Sequence, residues 1–117
     1  MKQIGTEEQY KLFTATLDEC GEFLLNKTPQ EIEYLLFEEF DGDSISFLSR
    51  PLLRSLLSAG MIDDEIFNLS LALAKKFRAL EGTELWNASA VVCSPEWREI
   101  MALSDKIKNL IGYNAKK

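Results

Sequence analysis

The sequence predicts an all-α protein, a single-domain bundle of about five helices spanning residues 1–117. Three observations predict it. Apolar residues recur at three- and four-residue steps in one segment after another, the spacing that lines one side of a helix. Helix-start signals stand at Thr28-Pro29-Gln30-Glu31, at Asp63-Asp64-Glu65 and at Ser94-Pro95-Glu96. No stretch shows convincing strand alternation, and there is neither an internal repeat nor a linker.

Taken in order, Thr6 is expected to cap a first helix, with Gln9 as its capping-box partner. Tyr10, Phe13, Leu17, Cys20 and Leu24 form its buried stripe, and Asn26-Lys27 breaks it. Thr28 caps the second helix, Pro29 sits in the first turn where no hydrogen bond is lost, and Glu31 closes the box. That helix is expected to run to about Phe40 and to end in a turn at Asp41-Gly42-Asp43. Residues 44–49 are open between a helical turn and extended chain, because Pro51 restricts what precedes it.

Leu52, Leu53, Leu56 and Leu57 face the core from a third helix that stops at Gly60. Asp63 caps the fourth, with Asp64 and Glu65 at its positive end and Ile62 stapled onto Phe67. Ile66, Leu69, Leu73, Phe77 and Leu80 carry its stripe to Gly82. Residues 82–94 lack a helical period and are left open, with a short turn or brief strand at Ala90-Val91-Val92. The last helix starts at Ser94-Pro95-Glu96-Trp97 and presents Trp97, Ile100, Met101, Ser104, Ile107 and Ile111. Gly112 is expected to end it, leaving 113–117 as a frayed tail.

Composition narrows the function classes. There is no histidine, which removes histidine acid–base chemistry, the Ser-His and Cys-His pairs and most zinc sites. No phosphate-cradling glycine loop is present either, so the chain does not read as an enzyme, and no cofactor is expected. Cys20 and Cys93 read as reduced thiols. No apolar run reaches the roughly 20 residues of a membrane span. The N-terminus is too polar for a secretory signal, so a cytoplasmic location is expected.

The net charge of −6 is uneven: residues 1–49 hold 11 acidic and 3 basic groups, residues 50–117 hold 8 and 10. Its focus is EIEYLLFEEFDGD, residues 31–43, with six carboxylates and no cation. At about 100° per residue, Ile32, Leu35, Leu36 and Phe40 gather on the core side. Glu31, Tyr34, Glu38 and Asp41 gather opposite, with Phe37 at the edge. Glu39 falls out of phase, toward the apolar side. Aromatics framed by charge are what an interface hot spot offers. The partner-binding candidates are therefore Glu31, Tyr34, Phe37, Glu38, Asp41 and Asp43, then Asp63, Asp64, Glu65 and the loop residue Trp86. Such a surface repels phosphate, so a basic protein is expected rather than nucleic acid.

Two further readings fail on their residues. Asp41 to Leu52 echoes a calcium loop, but Ile45, Ser46 and Leu52 stand where a ligand, the turn glycine and a bidentate glutamate are required. No metal site is expected. Residues 50–78 read as helix, turn, helix, but Asp63, Asp64 and Glu65 occupy the positions that would enter a DNA groove.

From about Leu48 onward, LLRSLLSAGMIDDEIFNLSLALAKKFRALEG, then TELWN, then SPEWREIMALSDKIKNLI, resembles immunity proteins of bacterial polymorphic-toxin systems, in particular contact-dependent growth inhibition. The resemblance implies a small cytoplasmic protein without catalytic residues. It implies one cognate toxin domain as partner, often a basic nuclease, blocked at its active site or substrate path. A helical adaptor or regulatory module binding another basic protein has the same sequence features. Gene context separates the two, since an immunity gene follows directly behind a large toxin gene.

Overall fold

The computed structural model describes the backbone of residues 5–115 and the side chains of residues 5–113. Within them the chain is helical, without a strand, as expected. The elements are α1 (Thr6–Leu17), a 3₁₀ turn (Glu22–Asn26), α2 (Pro29–Ile32), a π-helical stretch (Glu33–Phe40), α3 (Asp41–Phe47), α4 (Arg50–Ser58), α5 (Asp64–Ala79), α6 (Ala88–Cys93) and α7 (Pro95–Ala115). The two long helices α5 and α7 pack along each other, and α1 lies against α3, α4 and α7.

Helix ends follow local chemistry closely. Thr28 Oγ1 accepts the Glu31 N–H at 3.2 Å while Glu31 Oε1 accepts the Thr28 N–H at 3.0 Å, a complete capping box. Thr28→Ala removes one arm of it and is expected to cost about 1 kcal/mol in chemical denaturation. Asp63 Oδ1 accepts the Ile66 N–H at 2.8 Å, and Ser94 Oγ accepts the Trp97 N–H at 3.4 Å. Gly60 and Gly82 terminate their helices at φ +75° and +80°, a region in which other residues are strained.

Five expectations are corrected. Thr6 does not cap α1: the cap position is Gly5, and Gln9 instead accepts the Ser55 hydroxyl at 2.9 Å. The first helix ends at Leu17, so Cys20 and Leu24 are buried from the following turns rather than from one continuous stripe. Asp41-Gly42-Asp43 is not a turn, and the chain remains helical from Pro29 to Phe47. Ala90-Val91-Val92 lies in α6, capped by Asn87, whose Oδ1 accepts the Ala90 N–H at 2.9 Å. The expected stop at Gly112 is passed. Residues 113–115 of the expected tail continue α7, and 116–117 lie outside the described residues.

A polar clasp fastens the end of α1 to α7. The Ser104 hydroxyl donates toward the Cys20 carbonyl at 2.8 Å, Lys108 Nζ donates to the same carbonyl at 2.8 Å, and the Glu22 N–H donates to Asp105 Oδ2 at 3.0 Å. Gly21 makes room for it: a Cβ there would come within 2.5 Å of Asp105 Oδ1. Both cysteines are free, and burial pushes the Cys20 thiol up to about 12.

Candidate functional site

The acidic segment forms the solvent side of the helix from Pro29 to Phe47. Glu31, Glu33, Tyr34 and Glu38 are exposed, while Ile32, Leu36 and Phe40 are buried beneath them. Tyr34 is 52% exposed and lines an open groove with Gln30, Glu31 and Leu35. Its hydroxyl bonds to Glu39, and that carboxylate raises the phenol's pKa by stabilising the protonated form. The Glu31 carboxyl is held below its ordinary range, first by the backbone hydrogen bond from Thr28, then by the Thr28 side chain, with the Lys27 charge adding to both. Among the described residues no lysine or arginine forms an ion pair with Glu31, Glu33, Glu38, Glu39 or Asp43.

The other candidates are placed differently. Asp41 is neutralised within the chain: Arg78 Nη1 of α5 lies 2.5 Å from its Oδ1, and Arg78 Nη2 donates to the Asp41 carbonyl at 3.1 Å and to Ser44 Oγ at 3.2 Å. Phe37 and Trp86 belong to an aromatic cluster with Phe40, Phe77 and Trp97. The Phe37–Trp86 and Phe77–Trp86 ring centres are each 4.9 Å apart. Both side chains are half-buried. Asp63 caps α5, with Asp64 and Glu65 exposed in its first turn beside the helix's positive end. The structure thus gathers Glu31, Tyr34 and Glu38 on one open face, adds Glu33 to them, and gives Asp41, Phe37 and Trp86 partners inside the chain.

Asp43 joins Glu39 and Glu19, two residues absent from the sequence-based site. One carboxylate oxygen of each lies within 4.8 Å of the others, and all three side chains are half-buried. Glu19 Oε1 is sealed from solvent without a hydrogen-bond donor beside it. Like charges this close, with one oxygen cut off from water, favour the protonated form of Glu19. Desolvation, followed by the hydrogen bond to Asp43 and the charges of Asp43, Glu39 and Asp18, pushes the Glu19 carboxyl up to about 8. The signal in the sequence was Glu39 itself, out of phase with a helix of 3.6 residues per turn. The π-helical stretch widens the turn there, so Glu39 points toward Glu19 and Asp43 while the helix continues.

These elements define a helical bundle with an open acidic helix face and a half-buried cluster of three carboxylates. Among the described residues no helix is long and apolar enough to cross a membrane. No protein-family model matches the chain, and no curated protein and no solved structure matches it.

Proposed function

We propose that this protein is an immunity protein: it binds a cognate toxin domain, a basic nuclease, and neutralises it by covering the active site or substrate path. It acts in the cytoplasm and carries out no chemistry of its own. The observation that supports this reading is the exposed set Glu31, Glu33 and Glu38, which none of the described lysines and arginines pairs with. A nuclease surface, built to hold phosphate, supplies cations of the complementary sign, and unpaired carboxylates steer such a surface into contact. Asp41, paired with Arg78 inside the chain, is left out of this docking set.

The test is co-expression with the C-terminal toxin domain encoded by the adjoining open reading frame, scored by growth and co-purification. The wild-type chain is expected to restore growth and to co-purify. Glu33→Lys with Glu38→Lys is expected to slow association by about tenfold or more and to flatten its salt dependence. Glu31 is spared in this pair, because its carboxylate completes the Thr28 capping box and its reversal would confound binding with folding. Growth protection that is absent in the wild type rules the toxin reading out.

A further inference from the structure

We propose that the solvent face of residues 30–46 docks a basic protein segment bearing an apolar side chain at each end, with Tyr34 and Ile45 as anchors and Gly42 as the point of closest approach. The partner's basic character rests on the reading above; the anchors and the notch do not.

Along the continuous helix, the exposed positions are Gln30, Glu31, Glu33, Tyr34, Glu38, Gly42, Ile45 and Ser46. They recur at helical spacing, and the positions between them are buried or half-buried, so they form one ridge. Two large apolar side chains stand on it, Tyr34 at 52% and Ile45 at 65% exposure. Eleven residues of helix separate them, on the order of 15 Å along the axis. Acids cluster at the Tyr34 end, where the groove lined by Gln30, Glu31, Tyr34 and Leu35 offers an aliphatic wall, an aromatic face and a carboxylate. That combination suits a lysine or arginine side chain, stem and head together.

Gly42 is the second, independent observation. A glycine within a helix is destabilising relative to alanine. Among the described residues no close contact accounts for it. The glycines at positive φ are Gly60 and Gly82, so the Gly42 backbone suits any residue, and a Cβ at Gly42 would meet no atom within 4 Å. A bare stretch of helix backbone flanked by Glu38 and Ile45 is what a second chain needs in order to come close.

The probe is a synthetic 12-residue peptide with leucine at both ends and lysine at most positions between, titrated into the isotope-labelled full chain at low salt and followed by amide NMR. Shifts are expected to concentrate over 30–46, and a glutamate version of the peptide is expected not to bind. Gly42→Ala is expected to raise the melting temperature while weakening binding at least fivefold, a combination that loss of folding cannot produce. Tyr34→Ala and Ile45→Ser, both at exposed positions, are each expected to weaken it at least threefold. Shifts centred elsewhere, such as on Asp64 and Glu65, or a Gly42→Ala variant that binds as the wild type does, overturn the proposal. A wild-type chain that fails to protect against the neighbouring toxin domain, yet takes the peptide on 30–46, removes the toxin reading and leaves this surface standing. Protection that survives Gly42→Ala and Ile45→Ser unchanged does the reverse.

Discussion

Trp97→Ala is expected to destabilise the fold by about 3–5 kcal/mol, the largest effect of any single substitution considered. Trp97 is wholly buried. Its ring lies 5.7 Å from Phe37, 5.8 Å from Phe77 and 6.1 Å from Trp86, centre to centre. Its indole N–H donates to the Leu85 carbonyl at 2.6 Å, so one side chain ties the loop before α6 to the first turn of α7. Truncation opens a cavity among rings from the π-helical stretch, α5 and the loop, and it leaves the Leu85 carbonyl with the Asn87 N–H as its remaining donor. Since small domains have only about 5–15 kcal/mol in total, the loss is a large share of the whole. Urea denaturation followed by circular dichroism measures it. Trp97→Phe, which keeps a ring and loses the indole donor, should retain most of the stability. A loss below about 1 kcal/mol for the alanine variant would mean that the aromatic cluster is not the centre of the core.

The second large effect is a dependence on pH set by Glu19. Unfolded, its carboxyl releases a proton near 4.5; folded, beside Asp43 and Glu39, it keeps the proton to about 8. Between those values the folded chain binds more protons than the unfolded one, so this group's contribution falls as pH rises. It is fully present below 4.5 and lost as the pH passes through about 8. The slope is at most about 1.4 kcal/mol per pH unit for one proton. Partial solvent access to the three side chains reduces it further. Glu19→Gln removes the titration and supplies an amide donor for Asp43. The variant is expected to be the more stable protein at pH 9 and to show a flatter profile of Tm from pH 5 to 9. Parallel profiles for the two proteins would show that Glu19 is already ionised throughout that range.

Much of the fold was legible because its signals are short in range. Thr28, Asp63 and Ser94 bond to amides three residues on, and Gly60 and Gly82 adopt a backbone conformation other residues resist. The Asp41-Gly42-Asp43 reading failed because a long-range contact overrode local turn propensity. Arg78, 37 residues away, bonds the Asp41 side chain and carbonyl and the Ser44 hydroxyl where the helix continues. Phe37 and Trp86 read as interface aromatics because nothing in their spacing reveals each other's ring. Glu19 was invisible as a partner of Glu39, since only the folded chain brings the turn after α1 beside residues 39 and 43.

By itself the sequence determined the helical class, the helix starts at Thr28, Asp63 and Ser94, the stops at Gly60 and Gly82, and that the first half of the chain carries the surplus of negative charge. Those properties depend on residues within a few positions of one another, or on composition alone. Only the tertiary structure decided which acids remain open. Asp41 is neutralised by α5, Asp43 and Glu39 are turned toward Glu19, and Glu31, Glu33 and Glu38 are left facing water. Charge pairing is settled by distance in space, and a helix spacing says which side a carboxylate takes without saying what another helix will place beside it.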